Sequence, residues 1–213
     1  MPGVTMIGAI LAGGRSRRMA GLDKTRLTRD GQRVISRLAG LLRAACGECV
    51  LVAREEQRTE LETLNVGAVL ADLFPSKGPL GGMYTALEET ETDLFLVACD
   101  LPFLTAPLIS KIHDAYLKLE DQAIALLPRS PLDKTAVVHD TDSGFWRPEP
   151  LCAIWSRHCR RPAYAALDAE EFSVTGFAQQ IQAHYLDLSF QEAGQLGNVN
   201  TRKELQHGLG IDV

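Results

Sequence analysis

Two kinds of apolar pattern alternate along the chain. Short, nearly continuous apolar runs are typical of strands that are buried on both faces of a parallel sheet. Such runs predict five strands, at Met6–Ala12, Cys49–Ala53, Val66–Ala71, Leu94–Cys99 and Ala123–Leu127. Between them, apolar residues recur at helical spacing from Val34 to Ala45 and from Leu108 to Leu119. The alternation predicts an α/β fold, a Rossmann-like three-layer sandwich with a mostly parallel sheet and helices on both faces.

The ends of two helices have sequence signals of their own. Thr105 is a plausible N-cap, and Pro107 follows it in the first turn, where a missing N–H costs little. Thr201 and Glu204 have the spacing of a capping box and predict that a last helix begins there.

The segment 136–188 has weaker patterns. It predicts strands at Leu151–Trp155 and Tyr185–Leu188, and helices around Tyr164–Leu167 and Val174–Ile181. We expect this segment to complete the sheet and to supply the acceptor side of a cleft. With 213 residues and no linker-like stretch, the chain is expected to form a single domain, residues 1–213, whose N-terminal half binds nucleotide and whose C-terminal half binds the acceptor.

Charge and cysteine content narrow the classes of function. The net charge of −5 argues against a general nucleic-acid surface, yet residues 15–33 hold seven basic and two acidic side chains, which suggests a small anionic ligand. No apolar run has the length of a membrane span, and Val4–Ala12 lacks the features of a signal peptide. The five cysteines are expected to be reduced, which favours the cytoplasm, and the lone pair Cys46 and Cys49 is expected to be structural.

The first candidate site follows the first strand. Gly13 and Gly14 allow close approach of a phosphate to the backbone, and Arg18 and Lys24 supply positive charge, so this segment predicts a phosphate cradle. It contains neither a Walker A loop nor a dinucleotide fingerprint. The alternative is a glycine turn followed by a solvated basic surface.

Two further candidates follow later strands. Asp72 stands at the end of one strand, ahead of a glycine-bounded turn that begins at Gly78, and this turn would allow a base or sugar to pack closely. Asp100 ends the apolar strand Leu94–Cys99 and is placed to hold Mg²⁺ beside a triphosphate. The alternative role of both aspartates is to form turns. The histidines have no metal-binding spacing, and no hydrolase elbow is present.

Together these segments resemble the molybdenum cofactor guanylyltransferase family, within the nucleotidyltransferases. The resemblance rests on six ordered motifs: Leu11–Met19, Asp23-Lys24, Gly78–Gly82, Cys99–Phe103, Glu149–Ala153 and Asn198–Thr201. The double glycine after Ala12 is typical of this family, whereas related cytidylyltransferases more often have a second alanine.

The resemblance implies transfer of GMP from GTP to the molybdopterin cofactor, with Mg²⁺ required and pyrophosphate released. Residues at nucleotide-binding positions would be Leu11, Ala12, Gly13, Gly14, Lys24, Asp72, Gly78 and Asp100, with Asp100 also at the magnesium position. Asn198 and Asn200 match a pair near the acceptor. Contact with other proteins of cofactor biosynthesis would be transient, and no nucleic acid or membrane is expected as a partner.

Two positions depart from the family pattern. Ala20 stands where the family commonly has a glycine, and Ala53-Arg54 stands where it often has an asparagine near the nucleotide. Three alternatives therefore stay open: the same fold acting on CTP or on a sugar phosphate, a catalytically silent nucleotide-binding or carrier protein, and a nucleic-acid-binding module. Lys134 and Arg147 are further cations that could meet an anionic acceptor.

Overall fold

The computed structural model describes residues 6–13, 23–119, 123–132, 146–198 and 211–212. Its strands are β1 (Met6–Leu11), β2 (Thr28–Arg29), β3 (Gln32–Arg33), β4 (Cys49–Ala53), β5 (Ala68–Ala71), β6 (Asp93–Ala98), β7 (Ala125–Pro131), β8 (Trp146–Pro148), β9 (Cys152–Trp155), β10 (His184–Asp187) and β11 (Ile211–Asp212). Its α-helices are α1 (Val34–Cys46), α2 (Glu55–Glu62), α3 (Gly78–Thr90), α4 (Ala106–Leu117), α5 (Arg160–Asp168), α6 (Val174–Gln180) and α7 (Phe190–Ala193). Short 3₁₀ turns span Lys24–Arg26, Arg157–Cys159 and Gly194–Leu196.

The main sheet has the strand order β10-β7-β9-β6-β1-β4-β5, and β8 is added alongside β7. The strands β6, β1, β4 and β5 are mutually parallel, β10 is parallel to β7, and β9 is antiparallel to both of its neighbours. The chain moves outward from β1 to β4 and β5, and then crosses back to β6 on the other side of β1. The carboxyl ends of β1 and β6 therefore form the topological switch point at which open α/β sheets bind ligands.

Helices cover the sheet on both faces, as the apolar patterns predicted. On one face, Ile35, Leu38 and Leu42 of α1 pack with Leu108 and Ile112 of α4. On the other face, Leu80 and Met83 of α3 pack with Ala163 of α5 and Phe177 of α6. In β6, Phe95 and Val97 belong to the first cluster and Leu94 and Leu96 to the second. This burial on two faces explains why β6 is a continuous apolar run.

The predicted elements are confirmed with shifts of a few residues. The strand predicted to begin at Val66 begins at Ala68, and the preceding Gly67 lies so close to β4 that a Cβ would be 2.1 Å from the carbonyl oxygen of Cys49. The strand predicted to end at Leu127 continues to Pro131, where its partner is β8. Segment 136–188 does complete the sheet, through β8, β9 and β10 where it is described.

Thr105 occupies the N-cap position of α4, but its side chain does not cap the helix. The hydroxyl instead donates to Oε1 of Gln195 at 2.6 Å, which ties α4 to the turn at Gly194–Leu196. The predicted capping box at Thr201 lies outside the described residues. No helix in the described part of the chain is long and apolar enough to cross a bilayer.

Candidate active site

Four parallel strands end at one edge of the sheet and bring separate parts of the sequence together there. β1 ends directly before Ala12, β4 before Arg54 and β5 before Asp72, and β6 ends two residues before Asp100. Backbone hydrogen bonds continue past the strand ends, since the Ala12 N–H donates to Val52 at 2.8 Å and the Asp72 N–H donates to Ala53 at 2.8 Å. The three loops that the sequence predicted to be functional are thus neighbours.

Lys24 and Asp100 form the central contact of this edge. The Lys24 ammonium donates to Oδ2 of Asp100 across 76 residues of sequence. The carboxylate lies in a nearly dry position, because only 7% of the Asp100 side chain and 18% of the Lys24 side chain are exposed. A buried carboxylate of this kind needs a cation, and here a lysine from the N-terminal segment supplies the charge.

The position of Lys24 follows from the local sequence around it. Asp23 is the N-cap of the 3₁₀ turn, and its Oδ1 accepts from the Thr25 N–H at 3.0 Å and from the Thr25 hydroxyl at 2.8 Å. The Gln57 amide of α2 also donates to both Asp23 oxygens, at 3.1 and 3.0 Å. Burial alone would raise the pKa of Asp23, but the hydrogen bonds from Gln57 and Thr25 outweigh burial and lower it. Asp23 is therefore held as an anion.

Asp72 lies at the outer end of the same edge, after β5. Its Oδ1 accepts from the Phe74 N–H at 2.9 Å and contacts the Thr85 hydroxyl at 3.3 Å. Burial raises the pKa of Asp72 more than these hydrogen bonds lower it. The carboxylate is thus partly desolvated without a described cation beside it, which is the condition of a group that gains from a hydrogen-bond donor on a ligand.

The glycines after Asp72 do not form the predicted turn, because α3 begins at Gly78 and includes Gly81 and Gly82. A Cβ at Gly82 would lie 2.9 Å from Leu11, and one at Gly81 would lie 2.9 Å from Phe74. These two glycines therefore let α3 pack closely on β1 and on the loop after β5. Gly78 has a φ of +74° at the start of the helix, where a side chain would be strained.

A cavity of about 470 Å³ adjoins this edge on the side of β9. It begins at Leu101, the residue after Asp100, and is lined by Arg147, Glu149 and Asn198 among others. Oε1 of Glu149 accepts from the Ser130 hydroxyl at 2.9 Å and from Arg147 Nη2 at 2.8 Å. The polar residues of β7, β8 and the β8–β9 loop thus form one hydrogen-bonded wall.

Several predicted site residues lie outside the described part of the chain, namely Gly14, Arg18, Lys134 and Asn200. Among those described, Leu11, Ala12, Gly13, Lys24, Asp72 and Asp100 lie at the carboxyl edge, Gly78 opens α3, and Asn198 is an exposed residue of the cavity. The sequence did not indicate a role for Gln57, Thr85 or Ser130, whereas Glu149 belonged to one of the six motifs but was given no contact. One sequence feature could have pointed to Gln57. It stands three residues after the N-cap of α2, at the position where Gln and Glu side chains accept a hydrogen bond from the backbone of the cap.

Comparisons with known proteins identify the family of the chain. The family model of the MobA-like NTP transferase domain matches residues 8–184. The chain belongs to this family. It is a nucleotidyltransferase, and the resemblance predicted from the six motifs is confirmed.

Named relatives match along nearly the whole chain. A molybdenum cofactor guanylyltransferase of Desulfosudis oleivorans is 35% identical, over 93% of this chain and 92% of the relative. A probable molybdenum cofactor guanylyltransferase of Thermococcus gammatolerans is 32% identical, over 94% of this chain and 97% of the relative.

Solved structures share the fold. Molybdopterin-guanine dinucleotide biosynthesis protein A from Archaeoglobus fulgidus superposes with a TM-score of 0.72 at 21% identity, covering 96% of this chain and 97% of that one. A 4-diphosphocytidyl-2C-methyl-D-erythritol synthase from Anaerococcus prevotii superposes with a TM-score of 0.67 at 13% identity, covering 95% of each chain. At these identities the likeness concerns the fold alone.

Proposed function

We propose that the chain is a molybdenum cofactor guanylyltransferase that transfers GMP from GTP to Mo-molybdopterin, giving molybdopterin guanine dinucleotide and pyrophosphate. The observation that carries the proposal is the Lys24–Asp100 pair at the switch point between β1 and β6. The pair supports the proposal because one cation and one buried carboxylate lie together at the edge where open α/β sheets bind ligands. The names of the relatives support GTP as the nucleotide and the molybdenum cofactor as the acceptor.

In this proposal the nucleotide lies along the edge from Asp72 to Asp100. The backbone from Leu11 to Gly13 approaches the phosphates, and the Lys24 ammonium balances charge on the leaving pyrophosphate. Asp72 accepts a hydrogen bond from the base or the ribose. Arg18 and Gly14 join the phosphate site in the same proposal, on the basis of sequence.

The chemistry is the displacement of pyrophosphate from the α-phosphorus by a terminal phosphate oxygen of the pterin. One P–O bond forms and one breaks, and the electron pair leaves with pyrophosphate. The nucleophile is already an anion at neutral pH, so no side chain has to remove a proton. What the chain must supply is alignment and charge compensation.

The site fits the Mg²⁺ that the proposal includes. Asp100 is a buried carboxylate at the phosphate end of the edge, and no group of three or more acidic, histidine or cysteine side chains occurs among the described residues. A hard cation held by one carboxylate and by phosphate oxygens suits this donor set. Bound there, Mg²⁺ would supply Lewis acidity at the α-phosphate.

The cavity lined by Arg147, Glu149 and Asn198 is the proposed acceptor side. It adjoins Leu101, has the volume of a small-molecule site, and presents Arg147 to an anionic group. The N-terminal half of the single domain would thus bind nucleotide and the C-terminal half the acceptor. Asn200 joins this side on the basis of sequence.

A reducing compartment suits the five cysteines, none of which forms a disulfide and four of which are buried. Their burial also raises the pKa of the Cys49 thiol to about 12 and that of Cys46 to about 11, which keeps both protonated. These thiols are therefore unreactive, in keeping with the structural role predicted for the Cys46 and Cys49 pair. We propose that the protein acts in the cytoplasm.

The direct test incubates the protein with Mo-molybdopterin, GTP and Mg²⁺, and identifies the product by mass spectrometry. The expected result is one guanine dinucleotide cofactor formed for each pyrophosphate released. GTP binding without product would favour a silent nucleotide-binding protein, and product with CTP alone would assign the chain to cytidylyl transfer.

A further inference from the structure

Lys24 reaches Asp100 from a short turn that is hydrogen-bonded through Asp23 to a different helix, α2. The turn spans three residues, and Asp23 caps it. The Lys24 side chain is 18% exposed, so packing alone does not fix it. Its ammonium stays against Asp100 only if the backbone of Lys24 is held in place. The side chain that makes this attachment is Gln57 of α2, which is only 6% exposed.

The hydrogen bonds of Gln57 use both ends of its amide. Nε2 donates to Oδ1 and Oδ2 of Asp23, and Oε1 accepts from Nε of Arg54 at 3.2 Å. The opposite amide orientation would place an oxygen against the Asp23 carboxylate, so the network fixes the orientation. Arg54 is in turn paired with Glu56 at 2.6 Å. The first turn of α2 therefore presents a rigid donor to Asp23.

The same carboxylate links this donor to the Lys24 turn. Oδ1 of Asp23 accepts from Gln57 and from both the N–H and the hydroxyl of Thr25, a residue that is 2% exposed. Lys24 lies between Asp23 and Thr25. A shift of the Asp23 carboxylate would therefore move the Lys24 backbone with it.

We propose that Gln57 is a positioning residue, whose amide fixes Asp23 and thereby holds the Lys24 ammonium against Asp100. It acts through Asp23 and touches no substrate. The part of the inference that concerns nucleotide binding rests on the proposed function, whereas the part that concerns the Lys24–Asp100 pair does not.

The primary test measures the accessibility of Lys24 without any nucleotide. The native protein is acetylated with a limiting amine reagent, and the labelling rate of Lys24 is compared by peptide mass spectrometry with that of Lys118, an exposed lysine after α4. Gln57→Met keeps the size of the side chain but removes both of its hydrogen-bonding ends. We expect the Lys24 rate to rise relative to Lys118 by roughly three- to tenfold, the range for loss of an ordinary hydrogen bond, because Gln57 acts on Lys24 only through Asp23.

Two other variants distinguish a specific effect of Gln57 on Lys24 from a general destabilisation of α2. Gln57→Glu places a carboxylate against Asp23 and is expected to raise the Lys24 rate at least as much. Glu62→Gln removes the exposed pair with Arg58 on the same helix and is expected to leave the rate unchanged. An unchanged Lys24 rate in both Gln57 variants, with both folded, would overturn the inference.

A binding cycle then tests the link to the nucleotide. Gln57→Met should weaken triphosphate affinity several-fold in the wild-type background and have little effect when Lys24 is already methionine. Equal losses in both backgrounds would show that Gln57 does not act through Lys24. If the wild type binds no triphosphate, the proposed function fails, while the labelling comparison still decides the positioning role.

Discussion

Two of the ion pairs at the carboxyl edge of the sheet differ in how far their side chains are exposed to water. The Lys24–Asp100 pair is mostly buried, whereas Arg147 pairs with Glu149 while 64% of the Arg147 side chain is exposed. The first pair is held by a turn that α2 fixes in place, and the second lines an open cavity. The side that we propose for the nucleotide is thus partly dry, where charges act strongly, and the side that we propose for the acceptor is exposed to water, where they act weakly.

The largest effect is expected from a substitution of Asp100, the carboxylate of the buried pair. Asp100→Asn keeps the shape of the side chain but removes the charge that balances Lys24 and would hold the metal. We expect turnover to fall by about 10²–10³-fold or more, and we expect the protein to stay folded but to lose its thermal stabilisation by GTP. Pyrophosphate release with GTP, Mg²⁺ and acceptor measures the rate, and circular dichroism checks the fold. Activity near that of the wild type would remove Asp100 from the site.

A substitution of Lys24 removes the cation of the same pair. Lys24→Met is expected to weaken GTP affinity by about 10–100-fold, the range for a lost hydrogen bond to a charged group. It also leaves Asp100 without its cation, so the melting temperature should fall in the absence of Mg²⁺ and recover in part when Mg²⁺ is added. Isothermal titration calorimetry gives the affinity. An unchanged dissociation constant for GTP would contradict the assignment.

A substitution of Arg147 tests the exposed ion pair. Arg147→Ala is expected to raise the KM for the acceptor by about 3–10-fold and to leave GTP affinity unchanged, because an exposed cation contributes little. Arg58→Ala is the matched control, since Arg58 is also exposed and paired, on α2. Steady-state kinetics with varied acceptor distinguishes them, and equal KM values for wild type and Arg147→Ala would exclude an acceptor role.

The smallest loss of GTP affinity is expected from a substitution of Asp72. Unlike the substitution of Lys24, it is not expected to lower the melting temperature. Since its pKa is raised in the folded state, the ionised carboxylate costs stability at neutral pH, and this cost disappears as the pH falls through the folded pKa. Asp72→Asn keeps an oxygen for Phe74 and Thr85, so the melting temperature at pH 7 should stay level or rise. GTP affinity should fall by about 2–10-fold. A clear loss of stability at pH 7 would show that the charge is needed for folding.

The sequence predicted the sheet and the carboxyl edge because the strands are buried on both faces and end in distinctive residues. Leu94–Cys99 could be recognised for this reason, and Asp100 with it. The helix α2 gave no such signal, since Leu61 is the only apolar residue that it buries and its surface is polar. Gln57 was therefore missed, because its role depends on a contact across 34 residues of sequence.

The acceptor side was the least predictable part of the site. Ser130, Arg147 and Glu149 belong to β7, β8 and the loop between β8 and β9, and only pairing between strands brings them together. Pro128 and Pro131 also hid the length of β7, since proline within an apolar run suggests that a strand ends. By contrast, the close packing of α3 on Leu11 explains Gly82, which the sequence assigned to a ligand turn.

We expect the edge from Asp72 to Asp100 to bind GTP together with a divalent cation. Thermal unfolding of the protein with GTP, CTP, ATP or UTP, each with and without Mg²⁺, tests it directly. The expected result is a rise in melting temperature that is largest for GTP, increases with Mg²⁺, and is absent in Asp100→Asn. Equal stabilisation by all four triphosphates, or the same GTP shift in Asp100→Asn as in wild type, would contradict it.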